Sequence, residues 1–380
     1  MANTLTGLIP TIYTALDSVS REQVGFIPAV ARNSKAEAAA LDQNITAPVA
    51  PIAKTVDIVP GPTAAGSAEQ TISTVEVKIS KSKMAPVQWN GEEQMAIGSA
   101  GTYNLLLADQ FKQAFRALAN EVDHDLGALY TGSARAVGKA RSTPFDVKED
   151  LADFADARRV LEDNGAPTTD LQMVLGSAAI SNIRGKQSVL FKVNEAGSEA
   201  LLREGTIGRI EGFNLHNSAG IKRVTAGTGS GFLVNKAGGY HVGNQLITVD
   251  SGTGTVNRGD IVTFTGDTHQ YVVAAASAST ITLSAPGLLQ DLADNTAVTL
   301  VGHYTANMAF DRNAFLLASR TPAMPQGGDI ADDVMNVTDP VSGMTFQVAL
   351  YRQYHQIRYE VGLAWGVTAV KPEHSALILG

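Results

Sequence analysis

The 380-residue chain is 44% hydrophobic and 17% charged, which suits two or three packed regions and excludes general disorder. A formal charge of −8 argues against a surface built to neutralise nucleic-acid phosphates, and the absence of cysteine excludes disulfide scaffolds, thiolate metal sites and cysteine nucleophiles. No run of 18 apolar residues occurs, and the N-terminus lacks the basic flank and apolar core of a secretory signal, so a soluble, cytoplasmic product is expected.

Leu5, Leu8, Ile9, Ile12, Leu16 and Val19 recur at helical spacing, which predicts a short amphipathic segment interrupted at Pro10. It reads either as a terminal helix docked on its own domain or as an arm reaching a neighbouring subunit. From residue 47 to 66, Pro48, Pro51, Pro60 and Pro62 forbid regular helix and predict an extended connection. Val75, Val77 and Ile79 then alternate with Thr74, Glu76, Lys78 and Ser80, a two-faced strand over 71–79, with Pro86 and Asn90-Gly91 as turn signals. The pattern predicts a projecting hairpin arm whose apolar face needs a neighbour; an ordinary edge hairpin is the alternative. Lys78, Lys81 and Lys83 read either as a solvated strand edge that discourages aggregation or as partners for a neighbour's acidic loop. The candidate assembly contacts are therefore Val75, Val77, Lys78, Ile79, Lys81 and Lys83, with the adjacent acids Glu92 and Glu93.

The strongest helical signal lies over 103–130, where Leu107, Phe111, Phe115, Leu118, Val122, Leu126 and Leu129 fall at steps of four, four, three, four, four and three. A second helix is predicted from a capping box at Asp146 and Glu149, apolar Leu151, Phe154, Val160 and Leu161, and a stop at Gly165 and Pro167. Met173, Val174 and Leu175 read as a buried strand, and Ser177 as the cap of a short helix through Ile183.

Between 225 and 302 the pattern changes to short β-branched runs: 245–249 (QLITV), 261–264 (IVTF), 271–273 (YVV), 280–283 (TITL) and 297–301 (AVTLV). Their turn-rich spacing predicts a small all-β barrel or sandwich inserted into a parent domain, entered through a hinge at Gly227, Gly229 and Gly231. Helical and mixed patterns are expected to resume over 306–319. Alternation at Phe346, Val348 and Leu350 and at Ile357, Tyr359 and Val361 predicts an antiparallel pair.

Chemistry-bearing motifs are missing. His124, His216, His241, His269, His303, His355 and His374 are dispersed without metal-ligand spacing, and the glycine series and Gly185-Lys186 both fail as phosphate loops. No Gly-x-Ser-x-Gly elbow occurs, and the pairs Glu92-Glu93 and Asp332-Asp333 read as solvated loops. A non-enzymatic protein without cofactor or metal is expected.

The order of elements, with the segments 8–22 (LIPTIYTALDSVSRE), 24–30 (VGFIPAV), 310–322 (FDRNAFLLASRTP) and 365–373 (WGVTAVKPE), resembles tailed-phage major capsid proteins of the Hong Kong 97 fold, specifically the P-twenty-two-like coat proteins with an inserted barrel. The resemblance implies an α+β fold with an N-terminal arm over 1–44, an extended β loop over 45–97, a spine helix and peripheral domain over 98–170 and an axial domain over 171–224. The barrel would occupy 225–305, the axial return 306–320 and peripheral strands 321–380. It further implies assembly with itself into pentamers and hexamers of an icosahedral virion capsid, built in the host cytoplasm. Its partners would be a scaffolding protein, a portal, packaged double-stranded DNA held without sequence-specific contacts and a decoration protein, with no membrane. No local motif assigns a lysine–asparagine crosslink, so noncovalent association is expected. The rival readings are a tail or cellular compartment shell protein, or a hydrolase with an inserted carbohydrate-binding barrel.

Overall fold

The computed structural model describes residues 12, 25–49, 73–98, 103–148, 150–187, 208–325, 327–339 and 342–380. Of the predicted N-terminal segment only Ile12 lies within them, helical and buried in the main core; the remainder, and the connection from 50 to 66, lie outside.

Two sheets organise the α+β chain. The first runs Ala31–Ala39, Phe315–Pro322, Gln356–Ala369, Thr345–Gln353 and Asp333–Thr338, with Lys81–Asn90 paired to the other side of Gln356–Ala369. The helix Tyr103–Gly127 lies on this sheet and, at 1.5 Å per residue, is about 38 Å long. Leu107, Phe111, Phe115, Leu118, Val122 and Leu126 are buried as predicted, while Leu129 is half-buried in the 3₁₀ turn Ala128–Gly132. Edge-to-face contacts lock this face: Phe111 meets Tyr359 at 5.5 Å and Phe115 meets Phe346 at 5.1 Å. The antiparallel pair Thr345–Gln353 and Gln356–Ala369 forms as expected.

Several local expectations are corrected. Pro86 is not a turn residue but stands inside the ten-residue strand Lys81–Asn90, opposite Glu360. That strand is an edge, where a residue without an N–H is tolerated. Asn90-Gly91 starts the helix Gly91–Gly98: the Glu93 N–H donates to Asn90 Oδ1 at 2.7 Å and the Asn90 N–H to Glu93 Oε2 at 3.1 Å. This reciprocal cap is the box expected elsewhere.

The second helix, Ala152–Asp163, buries Phe154, Val160 and Leu161, with Leu151 partly covered, and its cap position is Leu151 rather than the predicted Asp146; Glu149, the other half of the predicted box, lies outside the described residues. Asp146 instead accepts from Ser142, and the Ala152 N–H donates to Asp150. Its stop is as read: Gly165 takes a φ of +72°, the Ala166 N–H reaches Leu161 O, and the Gly165 N–H reaches Glu162 O, a Schellman closure. Ser177 opens the helix Ser177–Lys186 without capping it; extended Gly176 is the cap residue, and its N–H is held by Asn307 Oδ1 at 2.8 Å.

The second sheet passes through Arg135–Gly138, Ser375–Leu379, Tyr304–Asp311, Leu171–Leu175, Phe213–Asn217 and Arg209–Ile210, with Lys222–Val224 also on Tyr304–Asp311. Leu171–Leu175 is wholly buried, as predicted for a core strand. The helical and mixed patterns expected over 306–319 are overturned: Tyr304–Asp311 and Phe315–Pro322 are strands around a single 3₁₀ turn, Arg312–Ala314. Apolar residues on both faces of a doubly covered strand mimic a buried helix.

The five predicted barrel runs form strands, joined by Phe232–Val234. Pairing proceeds from Ile261–Phe264 through Ala297–Leu300, Phe232–Val234, Leu246–Asp250, Thr280–Leu283 and Gln270–Ala276, and closes on Ile261–Phe264. Closure removes free edges. The interior has its own apolar cluster, including Val234, Ile247, Val262, Phe264 and Ile281. The barrel joins the second sheet where Gln270 and Tyr271 pair with Ala136 and Arg135.

Candidate assembly surfaces

Asn44–Val49 and Ser73–Lys78 form an antiparallel ribbon whose strands pair only with each other among the described residues. The partner of the predicted strand therefore precedes it in sequence. An isolated two-stranded ribbon has little stability of its own. Its root is fixed to the first sheet: Val77 and Ile79 are fully buried in a cluster with Ala39, Leu316, Ala318 and Ala364. For these two residues the expectation of an uncovered face is corrected, because their own chain covers it. Val75 stays half-buried, and exposed Lys78 pairs with Asp42 at 2.7 Å.

The next two lysines face the long helix. Lys81 Nζ lies 2.9 Å from Glu121 Oε1 and 2.8 Å from Asp125 Oδ1, and Lys83 Nζ lies 2.5 Å from Glu121 Oε1. The acidic partners thus come from the same chain, not from a neighbour's loop. Trp365 closes the group: its indole N–H donates to Asp125 Oδ2 at 2.9 Å, and Lys81 sits 5.8 Å from its ring. Burial alone would lower the Lys81 pKa, but the bonds to Asp125 and Glu121 outweigh it and hold the ammonium above the ordinary lysine range. Burial would likewise raise Glu121, and Lys83 and Lys81 outweigh it and hold that carboxyl below its usual range. Sequence reasoning missed Glu121 and Asp125 as partners; their place on the polar side of the helical stripe was the available signal. Glu92 is exposed, and Glu93, also exposed, is engaged in its cap.

A second junction centres on Asp123, buried on the long helix. Its Oδ1 accepts the Phe26 N–H at 2.8 Å, and its Oδ2 accepts the Ser218 hydroxyl. Burial pushes its pKa up, against bonds from Ser218 and the backbone of Phe26, Ile27 and Gly220 that act to lower it. Close approach requires glycine here: a methyl at Gly127 would stand 2.4 Å from Gly220 O. Asp123 thereby ties the chain preceding the ribbon to the helix and to the second sheet.

Among the described residues, no cluster of three or more His, Asp or Glu side chains could hold a metal ion, and no helix is long and apolar enough to cross a membrane.

No family model matches the chain, and no curated protein matches it. Solved structures to which it is similar include one described as Mycobacterium phage Che8, with a TM-score of 0.45, 14% identity and 90% of this chain covered against 85% of the other. Another is the capsid of the cyanophage P-SCSP1u, with a TM-score of 0.45, 10% identity and coverage of 91% and 86%. A third is a virus-like particle from Pyrococcus furiosus, with a TM-score of 0.43, 7% identity and coverage of 97% and 98%.

Proposed function

We propose that this chain is a major capsid protein that assembles noncovalently, through pentamers and hexamers, into an icosahedral shell around phage double-stranded DNA. The observation that carries the reading is the ribbon of Asn44–Val49 and Ser73–Lys78, anchored at its root by Val77 and Ile79 and, among the described residues, unpaired along both outer edges. Its backbone groups and the side chain of Val75 would be completed by another copy, with Glu92 and exposed Lys78 at the rim. The order of described elements, from ribbon through long helix and second sheet to inserted closed barrel, supports the resemblance of segments 8–22, 310–322 and 365–373 to the coat proteins. The domain boundaries implied by that resemblance are kept, with strands Arg135–Gly138 and Ser375–Leu379 added to the axial sheet. Scaffold, portal and decoration partners belong to the same proposal.

Electron microscopy of the purified chain, coexpressed with a scaffolding partner encoded nearby, tests it. Closed icosahedral particles are expected, and small soluble species despite scaffold would sink the reading. In a companion variant, residues 47–75 are replaced by a short Gly/Ser linker. Val77, Ile79 and the strand Lys81–Asn90 remain, so the subunit should fold and fail to assemble.

A further inference from the structure

The chain enters and leaves the barrel through two crossings that lie side by side, because Val224, the last residue of Lys222–Val224, pairs with Tyr304, the first of Tyr304–Asp311. Just beyond that pair the crossings are clasped together. The Ala226 N–H on the entering chain donates to His303 Nδ1 on the returning chain at 3.0 Å. The next N–H, of Gly227, donates to the two oxygens of the fully buried Asp260 at 3.2 and 3.1 Å. Packing fixes the entering chain here, since a methyl at Gly227 would stand 2.2 Å from Thr255 O. A backbone N–H can only donate, so the ring nitrogen that meets it must carry a lone pair. The clasp therefore accepts one form of His303, the neutral imidazole with its proton on Nε2. An imidazolium carries hydrogen on both nitrogens and would set two donors against each other. His303 is exposed, so solvent protons reach it, whereas Ala226 is buried and its N–H has no water to turn to when the bond is lost.

We infer that His303 is a pH-sensitive latch on the stem of the barrel, closed while its imidazole is neutral and opened by mild acid, which frees the entering chain over 225–231. The barrel itself stays attached, because its other ties use no histidine: Gln270 and Tyr271 pair with Ala136 and Arg135, and the Tyr304 hydroxyl donates to Gly259 O. Asp260 does not supply the acid response. Burial pushes its pKa up, against bonds from Asn257 and Gly227, so a proton there relieves the burial penalty and acid favours the closed arrangement at that residue. The other charged groups on the surrounding elements are Arg141, packed against Gly302, Arg223, opposite Thr305, and Arg258, which acts on Tyr130. Tyr130 and Tyr304 are held neutral by burial. The three arginines oppose an added positive charge and Asp260 favours it, which leaves the lost hydrogen bond to set the direction. The latch belongs to the single subunit and does not rest on the shell reading.

Amide hydrogen exchange of the full chain, read by mass spectrometry from about pH 8 to about pH 5.5 and corrected for the intrinsic pH dependence of exchange, tests this. Protection over 225–231 should fall about tenfold across that range, while Tyr103–Gly127 keeps its protection. In His303→Asn an amide oxygen takes the place of Nδ1 as acceptor and does not titrate, so protection should stay flat; in His303→Ala it should be low at both ends. A flat profile in the wild type overturns the proposal. The same fall in His303→Asn, which retains His241 and His269 of the barrel, overturns it as well. If the variants fail to fold, nitrogen NMR of the unaltered chain labelled at histidine decides: the latch requires the Nε2–H tautomer of His303 at the alkaline end, and the Nδ1–H tautomer overturns it.

Discussion

Gly366 and Lys78 meet backbone to backbone: a methyl group on Gly366 would fall 2.0 Å from the Lys78 carbonyl oxygen. The neighbouring Ser80 N–H donates to Trp365 O at 3.0 Å, so the ribbon's exit crosses the long strand Gln356–Ala369 at Gly366, where no side chain intervenes. Since the obstructing atom is backbone, it cannot rotate away. Gly366→Ala should destabilise the fold by about 2–3 kcal/mol and strip amide protection from Ser73–Lys78 before the rest of the sheet. Denaturant titration with hydrogen exchange checks this, and a wild-type midpoint would contradict it.

Lys81→Met should remove about 1–2 kcal/mol after allowance for solvent screening, because Glu121 and Asp125 lose the cation between them. The sign of the pH dependence follows from the two shifts. Glu121 is lowered, so its contribution is present above the unfolded carboxylate range and is lost as pH falls through its folded value; Lys81 is raised, so its contribution is lost as pH rises through its folded value. The stability gap between wild type and variant should therefore be flat from about pH 5 to 10 and narrow beyond either end. Urea denaturation across that range is the measurement, and a gap that widened in acid would refute the assignment.

Asp123→Ala should cost about 3 kcal/mol, since the Phe26 N–H and Ser218 hydroxyl lose their acceptor in a buried site. Limited proteolysis near residue 25 should quicken in step with the lost stability. Uniform destabilisation without a new cleavage site would argue against Asp123 as the tie for that segment.

Phe264→Ala opens a cavity in the barrel's separate cluster and should cost about 3–5 kcal/mol there. Exchange protection should fall in strands from Phe232–Val234 to Ala297–Leu300 and persist in Tyr103–Gly127. Simultaneous loss in both would show that the barrel is not a separate cooperative unit.

Much of the scaffold was legible because single elements declared it. The four-four-three stripe from Leu107 to Leu126 admits one helical face, and runs such as 261–264 and 280–283 are short, β-branched and bounded by turn residues. Phe232–Val234 escaped because three residues are too few to show a period. Pro86 and Asn90 misled because both residue types serve turns, edges and caps, and only neighbours in space choose between them. The candidate contacts were half legible: alternation at Val75, Val77 and Ile79 identified the strand, but Ala364 and Leu316, which cover two of the three, lie more than 200 residues away. The pairing of Lys81 with Glu121 and Asp125 likewise depends on an edge strand running beneath a helix, which no local pattern encodes.

The strand Ser375–Leu379 stands between Arg135–Gly138 and Tyr304–Asp311, with Ala376 aligned to Arg135 across some 240 residues of chain. On the ribosome, the segment 135–138 must wait for some 240 further residues before its parallel neighbour exists, while Ala136 and Val137 remain without the cover they have in the finished sheet. Loop-closure entropy makes such pairing slow. The finished sheet therefore forms only after residues 375–379 have been made, and nascent chains are exposed to aggregation during that interval.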